Sequence, residues 1–284
     1  MAVWRPIFKS LGCHCDNLSM TPSLAEPLVF PATVSRADLL LAFEALLQPV
    51  RFKDYGPNGL QVEGRPAIRK IVSGVTASRA LIEAAVAAGA DAIFVHHGLF
   101  WRGQSGCVTG WMKQRLALLL AHDINLFAYH LPLDAHPVLG NNAQLGLALG
   151  LTASGRFGEQ ELGWLGERTA GGGFADVAEL AQHIEMALNR TVVHVSIART
   201  AIKKIAWCTG GAQGYFEAAI AAGADAFITG EISEPQAHYA REMGVAYLAC
   251  GHHATERYGA PAVAGHVATA LGLAHEFIDI DNPA

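Results

Sequence analysis

The chain has 284 residues, of which 51% are hydrophobic and only 16% are charged, whereas soluble domains carry about 25% charged residues. The sequence has no apolar run near the roughly 18 residues that a membrane-spanning helix needs. Its high apolar content and net charge of -5 exclude a disordered chain. Without a basic cluster, binding to nucleic acid is not expected either. The scarcity of charge indicates that part of the surface is covered.

The cysteines and the N-terminal segment indicate the cellular compartment. Five cysteines form no C-x-x-C pair, and a chain of this length needs no disulfides, so we expect a reducing cytoplasm. Residues 1–32 lack the apolar segment of a secretory signal and are predicted to be a poorly ordered extension, with Met20 as a candidate natural start. The Cys13-His14-Cys15 motif supplies three ligands, which is an incomplete zinc site.

Periodic patterns begin at Val34 and alternate between helix and strand. Ser35 and Asp38 predict a capping box at the start of a helix that extends to Leu47. Further along, the predicted elements are a strand over 68–75, a helix over 79–88, a strand over 92–95, an apolar run over 124–129, a helix over 175–188, a strand over 191–197, a helix over 258–271 and a final strand over 276–280. This alternation predicts an α/β fold with mixed sheets flanked by helices.

A nine-residue segment occurs twice in the chain. Residues 83–91 read EAAVAAGAD and residues 217–225 read EAAIAAGAD, and each follows a predicted strand and precedes further apolar runs. Alanine-rich helices resemble one another by chance, but the matching strands around them favour an internal duplication. We therefore predict two related α/β lobes, residues 33–136 plus 252–284 and residues 137–251. A ligand site is expected in the cleft between their strand ends.

Three segments that carry possible metal ligands each follow a buried apolar run. They are His96-His97, His130 with Asp134, and the segment from His252 to Glu256. A helix that begins near His252 would place His252 and Glu256 on one face. The two adjacent histidines reach one site only if the backbone leaves the strand there, which Gly98 would permit. Mixed imidazole and carboxylate ligands suit Zn(II), Fe(II) or Mn(II), and the alternative is ordinary surface histidines.

Five motifs follow one another along the chain. They are Tyr55-Gly56-Pro57-Asn58-Gly59-Leu60-Gln61-Val62, His96-His97-Gly98-Leu99-Phe100-Trp101, Leu133-Asp134-Ala135 with Asn141-Asn142, Thr229-Gly230-Glu231, and Gly251-His252-His253-Ala254-Thr255-Glu256. Together they resemble the GTP cyclohydrolase I type 2-like family, also called dinuclear metal-centre hexameric proteins. The resemblance extends from about residue 34 to the C-terminus.

The resemblance implies two divalent metal ions (Zn, Fe or Mn), bound in the cleft by His96, His97, Asp134, His252 and Glu256. In the family pattern Glu256 bridges, one ion takes His97 and Asp134, and the other takes His96 and His252. The resemblance also implies a ring-shaped homohexamer, whose subunit contacts would cover alanine-rich helices and explain the low charge.

Some positions depart from the family pattern. Gly98 stands where the family has proline, His253 replaces a tyrosine, and Leu131 and Pro132 replace a threonine and an asparagine. Where the family has an acidic residue together with two histidines, this sequence has Glu231 and a single, more distant histidine, His238. These departures leave the five implied ligands in place but remove side chains that would contact a substrate.

A pair of metal ions activates water, so hydrolysis is the expected reaction. The resemblance implies a cyclohydrolase-like attack on a purine nucleotide such as GTP. His130 is the candidate catalytic residue, either as a general acid or base or as a hydrogen-bonding partner of the ligands. The sequence has no Walker-type loop for phosphate. Two alternatives stay open: a non-catalytic metal-binding or metal-delivery protein, and a metal-free scaffold that only assembles.

Overall fold

The computed structural model describes residues 33–197 and 201–284. The predicted extension over residues 1–32, including Cys13-His14-Cys15 and Met20, lies outside the described residues. The strands are β1 (Val34–Ser35), β2 (Gly59–Val62), β3 (Ala67–Ile68), β4 (Lys70–Thr76), β5 (Ala92–His97), β6 (Asn125–Ala128), β7 (Leu151–Phe157), β8 (Gly163–Arg168), β9 (Val193–Val195), β10 (Ile205–Trp207), β11 (Ala226–Thr229), β12 (Ala246–Ala249) and β13 (Ala274–Phe277).

Helices connect most of these strands. They are α1 (Arg36–Leu47), α2 (Arg79–Ala87), α3 (Gly110–Ala121), α4 (Leu131–Ala135), α5 (Asn141–Ala148), α6 (Val177–Leu188), α7 (Phe216–Ala221), α8 (Glu234–Met243), α9 (His252–Glu256) and α10 (Gly259–Leu271). Among the described residues, none of these helices has both the length and the apolar character needed to span a bilayer.

Two mixed sheets form the frame of the molecule. The five-stranded sheet has the order β13-β4-β5-β6-β2, in which β2 alone is antiparallel to its neighbour. The six-stranded sheet has the order β7-β8-β10-β11-β12-β9, with β10, β11 and β12 parallel and the outer strands antiparallel. The predicted α/β class, with mixed sheets flanked by helices, is confirmed.

Apolar residues cover both faces of each sheet. On the five-stranded sheet, side chains of α1 and α10, such as Phe43 and Val263, form one core, and side chains of α2 and α3, such as Leu81, form the other. On the six-stranded sheet, Ile184 of α6 and Phe216 of α7 lie in the cores of opposite faces. Because both faces are covered, the parallel strands are continuous apolar runs, which made them visible in the sequence.

The ends of several elements follow local hydrogen bonds. The N-cap half of the predicted capping box is present, because the Asp38 amide donates to Ser35 Oγ at 3.0 Å, but the Asp38 carboxylate accepts from the Ser35 hydroxyl at 2.7 Å in place of the Ser35 amide. The final strand begins and ends earlier than the predicted 276–280. Ile278 and Ile280 instead pack against the core on the α2 and α3 face, so their apolar character reflects packing outside a strand.

The hairpin of β7 and β8 was missed by the sequence reasoning, which interpreted residues 155–173 as a glycine-rich stretch. Most of β7 is exposed at the edge of the six-stranded sheet. An edge strand with little buried surface lacks the alternation that identifies a strand. Its pairing with β8 also contains a register shift, which disturbs any pattern that remains.

The two copies of the repeated segment make matching contacts. Asp91 and Asp225, which end the two copies, each accept hydrogen bonds from two backbone amides near the start of the preceding strand. Lys70 and Lys204 each donate to a carbonyl at the end of the repeated helix. A common origin of the two units, and the division into lobes over 33–136 plus 252–284 and 137–251, stay predictions that these contacts support.

Candidate metal centre

The predicted ligands lie where strands of both sheets end. His96 and His97 are the last residues of β5, and the backbone leaves the strand at Gly98. Asp134 lies in the short helix α4, which follows β6. Helix α9 begins at His252, as predicted, and follows β12 of the other sheet. The carboxyl ends of parallel strands are the usual location of ligands in α/β sheets.

Glu256 lies at the centre of this cluster. Its side chain is only 3% exposed. One carboxylate oxygen, Oε1, lies 3.4 Å from His96 Nε2, whereas Oε2 lies 3.2 Å from His97 Nε2 and 3.1 Å from His252 Nε2. The two oxygens of one carboxylate therefore face different imidazoles, which is the arrangement of a bridging ligand.

Asp134 completes the cluster on the His96 side. Its Oδ1 lies 3.5 Å from His96 Nε2. The same oxygen accepts hydrogen bonds from Asn141 Nδ2 at 2.9 Å and from Thr209 Oγ1 at 3.2 Å. These two partners orient the carboxylate toward the cluster.

The ligand atoms form two groups that share Glu256. One group contains His96 and Asp134, the other contains His97 and His252, and the atoms within each lie no more than 4.8 Å apart. This grouping differs from the allocation implied by the resemblance, which placed His97 with Asp134 and His96 with His252. The reason is that His96 extends toward helix α4, whereas His97 faces the start of helix α9.

Among the residues that the structure describes, two buried atoms of the cluster have no hydrogen-bond partner. They are His96 Nε2 and Glu256 Oε2, although each lies within 3.5 Å of other polar atoms. An unsatisfied buried polar group costs about 1–3 kcal/mol, so some other partner is expected. Nitrogen and oxygen atoms that lie close together without aligned hydrogen bonds can act as ligands of a cation that lies between them. The nitrogen and oxygen donors fit Zn(II), Fe(II) or Mn(II).

Burial and nearby carboxylates shift the pKa values of these groups in opposite directions. Burial lowers the pKa of His96, but the charges of Asp134 and Glu256 more than offset it and raise the pKa to about 9. The pKa of His252 reaches about 9 for the same reasons, with Glu256 and Glu231 as its partners. For His97 burial prevails and lowers the pKa to about 3.

These shifts predict how metal affinity depends on pH. At pH 7 the metal-free protein holds a proton on both His96 and His252, and a metal ion must displace that proton. Metal affinity is therefore expected to increase by up to about tenfold per pH unit for each ion between pH 6 and 9, and to level off above about pH 9. Competition with a chelator, corrected for the chelator's own protonation, measures this slope. An affinity that does not change over this range would contradict the assignment.

Each of the three candidate histidine ligands has a polar contact at Nδ1, the ring nitrogen other than the Nε2 that faces the cluster. His96 Nδ1 contacts the carbonyl of Tyr129 at 3.2 Å, His97 Nδ1 contacts Thr76 Oγ1 at 3.0 Å, and His252 Nδ1 contacts Glu231 Oε1 at 2.6 Å. Such outer partners fix the ring orientation and leave Nε2 for a metal ion. The sequence reasoning assigned no role to Thr76. Glu231 was visible only as part of the Thr229-Gly230-Glu231 motif.

His130 lies beside the cluster and is paired with Asp54. A ring nitrogen of His130 lies within 4.8 Å of those of His96 and His97, and its Nδ1 contacts Asp54 Oδ1 at 2.7 Å. Burial raises the pKa of Asp54, but the hydrogen bond and charge of His130 outweigh it and the pKa is lowered. With Nδ1 bonded to an ionised carboxylate, Nε2 is the nitrogen of His130 available for chemistry. Asp54 was not identified from the sequence, because 76 residues separate the pair.

A cavity of about 180 Å³ opens onto the cluster. Its walls include Tyr55, His130, Asp134, Thr209, Tyr215 and Glu256. A proton-transfer candidate, His130, and three candidate ligands, Asp134, His252 and Glu256, therefore line the same space.

Local packing explains three of the departures from the family pattern. Gly98 has no side chain because the Gln61 amide fills the adjacent space. His253 contacts Asp279 through Nε2 at 2.8 Å, on the side of α9 next to the C-terminal segment. Pro132 occupies the first turn of α4, where its missing N–H costs nothing. His238 forms an exposed pair with Glu234 instead of joining the cluster.

Gly210 has no side chain, and this makes room for the carboxylate of Glu256. It has φ +68°, and an added Cβ would overlap Glu256 Oε1 and lie 3.1 Å from His252 Nε2. Gly210→Ala is therefore expected to displace the carboxylate and weaken metal binding by about tenfold or more, as measured by chelator competition. Gly244→Ala is the matched control, because Gly244 has φ +64° with open space around it. Equal effects of both substitutions would mean that backbone strain alone is responsible.

The described part of the chain is thus an α/β protein with two large mixed sheets and a buried His/Asp/Glu cluster that could hold metal. Residues 34–283 match the Duf34/NIF3 (NGG1p interacting factor 3) family, and the chain belongs to this family. A Neisseria meningitidis serogroup A protein named GTP cyclohydrolase 1 type 2 homolog is 52% identical over 251 residues, covering 88% of this chain and 100% of that protein. The protein of the same name from Escherichia coli K12 is 49% identical over 239 residues, covering 84% and 95%.

Solved structures show the same fold. A protein described as ybgI, of unknown function, has a TM-score of 0.84 and 46% identity, covering 88% of this chain and 100% of that chain. The protein TTHA1606 from Thermus thermophilus has a TM-score of 0.76 and 30% identity over the same shares. The resemblance found in the sequence motifs is confirmed.

Proposed function

We propose that this protein is a dinuclear metal-dependent hydrolase that acts on a purine nucleotide or a related small molecule. The observation that carries the proposal is the position of Glu256, one of whose oxygens faces His96 while the other faces His97 and His252. Two divalent ions held there would lower the pKa of water and polarise a substrate carbonyl, phosphoryl or ring carbon. The name of the relatives at about 50% identity, GTP cyclohydrolase 1 type 2 homolog, supports a nucleotide as the substrate.

His130 is proposed to transfer a proton to or from the substrate. Asp54 holds its Nδ1, and aromatic rings confine the imidazole: Trp101 lies edge-on with centroids 5.0 Å apart, and Tyr55 lies 5.9 Å away. A histidine with one fixed tautomer and a free second nitrogen is suited to general acid or base catalysis. Its position on the wall of the cavity supports a role in proton transfer.

The proposed function is tested with metal-loaded protein. Elemental analysis is expected to find two ions per chain. Incubation with GTP and other nucleoside triphosphates is expected to yield formate or a ring-opened product, with the activity lost in EDTA and restored by adding the metal. Two bound ions without turnover of any nucleotide would contradict the proposed enzymatic function. An absence of bound metal would support the alternative of a metal-free scaffold.

A metal-binding or metal-delivery protein is the second candidate function. It is favoured by the size of the cavity, because about 180 Å³ is less than the roughly 300 Å³ at which pockets for small organic ligands begin. A delivery protein would pass its metal ions directly to an acceptor protein and turn over no nucleotide. Transfer that is faster than release to a free chelator would distinguish this function.

We also propose that the protein assembles as a homohexamer. Several large apolar side chains are more than 60% exposed in the single chain: Leu41, Val50, Leu120, Val138, Leu147, Met186 and Val193. Subunit contacts would cover such side chains and account for the low fraction of charged residues. Sedimentation at micromolar concentration is expected to give a hexamer, and a clean monomer would contradict this assembly.

A further inference from the structure

A second cavity adjoins the one at the metal centre. It has a volume of about 430 Å³ and lies between the end of α1, the end of α4 and the β7–β8 hairpin. We call it the arginine groove and define it by six of its lining residues: Gln48, Arg51, His136, Arg156, Gln160 and Glu161. Gln160 also lines the metal-centre cavity, so the two spaces share a wall.

Two arginines of the groove form no close ion pair among the described residues, although Glu161 lies near enough to Arg156 for its charge to raise the arginine's pKa against the larger lowering by burial. Within residues 33–197 and 201–284, neither Arg51 nor Arg156 forms an ion pair. Arg51 donates to the side-chain oxygen of Gln48 at 3.1 Å, which leaves its charge uncompensated. Arg156 donates to two backbone carbonyls, and its guanidinium lies 3.6 Å from the centroid of the Trp164 ring. Stacking on the indole fixes the plane of this guanidinium.

The other polar groups of the groove leave it with a net positive charge. Glu161 is the acidic residue among those that line it. His136 accepts two backbone N–H groups at Nδ1, so its Nε2 carries the proton and can donate. Burial, with His266 nearby, lowers the pKa of His136 and so favours the neutral ring. The lining of the groove thus contains two guanidinium groups and one imidazole N–H donor, compared with one carboxylate.

The walls of the groove are held in an unusual backbone conformation. Gln160 and Glu161 have φ values of 53° and 55°, a region that residues other than glycine rarely adopt, whereas Gln48, at 48°, is the left-handed C-cap of α1. Such strain persists where surrounding contacts impose it, and it concentrates at ligand sites. The contacts are present here, since the side chain of Gln160 accepts from the Lys53 amide at 2.8 Å and donates to the Lys53 carbonyl at 3.3 Å.

We propose that the arginine groove binds the phosphate groups of an anionic small molecule whose other end enters the metal-centre cavity. Guanidinium groups bind phosphate oxygens through paired hydrogen bonds, which requires no glycine-rich loop. The volume of the groove falls within the range of pockets for small organic ligands, roughly 300–1,000 Å³. The assignment of the ligand's other end to the metal-centre cavity rests on the proposed function. The phosphate site in the groove is independent of the proposed function.

The phosphate site is tested by calorimetric titration of the full-length, EDTA-treated protein with inorganic triphosphate. Arg51→Gln and Arg156→Gln are each expected to weaken binding by about tenfold, because each removes a charged hydrogen-bond donor. Arg241→Gln, at an exposed arginine of α8, is the matched control and should bind like the unmodified protein. Arg51 is itself exposed, so its variant tests the site even if the Arg156 variant does not fold.

Two results would overturn the proposal. One is an absence of triphosphate binding to the unmodified protein. The other is binding that survives both arginine substitutions but is lost in His252→Ala, since the anion would then occupy the protonated imidazoles of the metal-free cluster. If triphosphate binding depends on the arginines but the metal-loaded protein turns over no nucleotide, the phosphate site is supported and the hydrolase function is refuted.

If nucleotides are turned over, the arginine variants should raise KM for GTP at least about tenfold with little change in kcat. They should leave any turnover of guanosine, which lacks phosphate, unchanged. Equal effects on both compounds would contradict a phosphate site and indicate a general disturbance of the cavity.

Discussion

The substitution Glu256→Gln is expected to abolish the binding of both metal ions. Glutamine has the same shape but replaces one carboxylate oxygen by an amide group and removes the charge that both groups of ligand atoms share. Outer partners of metal ligands contribute about 10–100-fold to affinity, so the loss of a shared ligand should exceed a hundredfold for each ion. Elemental analysis after gel filtration, together with chelator competition, measures the effect.

The control is Glu242→Gln, at an exposed glutamate of α8, which should retain two ions per chain. Circular dichroism of the Glu256 variant establishes that the fold persists. Retention of one ion would show that Glu256 binds a single metal and does not bridge. Retention of both ions would refute the metal assignment of the cluster.

His130→Gln is expected to lower kcat by about 10²–10⁴-fold while both metal ions stay bound. The reason is that His130 would supply a proton-transfer group at the cavity wall, whereas the metal ions would be held by other residues. Asp54→Asn should have a smaller effect, about 10–100-fold, because an asparagine can donate to Nδ1 and favour the wrong tautomer of the ring. Initial rates over a range of pH, with metal content measured on the same samples, test both variants.

The matched control is Glu234→Gln, which removes the carboxylate from the exposed pair that His238 forms on α8 at 2.9 Å. It should leave kcat unchanged. A loss of metal from the His130 variant would mean that His130 is a ligand, which its distance to His96 and His97 allows. Full activity of both site variants with intact metal content would leave the Asp54–His130 pair with a structural role only.

The candidate ligands were accessible to sequence reasoning because each follows a strong local pattern. His96-His97 ends a buried apolar strand, and the spacing of His252 and Glu256 places them on one face of a short helix. Both patterns are governed by backbone periodicity, which a sequence displays directly. The motifs then connected these segments to one family, and the match over residues 34–283 agrees.

The residues that orient the ligands were not accessible in this way. Asp134 is held by Thr209 across 75 residues. Such partners have no fixed spacing from the residues they support, because the packing of one sheet against the other determines which side chains meet. The same holds for the arginine groove, in which Arg51 and Arg156 come from segments about a hundred residues apart.

The low fraction of charged residues, the α/β alternation and the segments that carry the candidate ligands were determined by the sequence itself, since composition and periodicity are local properties of the chain. The set of five ligands was what the resemblance to one family implied. Only the tertiary structure decided how the candidate ligands are grouped around Glu256, which nitrogen of each histidine is held by an outer partner, and that Arg51 and Arg156 line one groove. The reason is physical: hydrogen bonding and charge act over a few ångströms in space, whatever the separation of the residues along the chain.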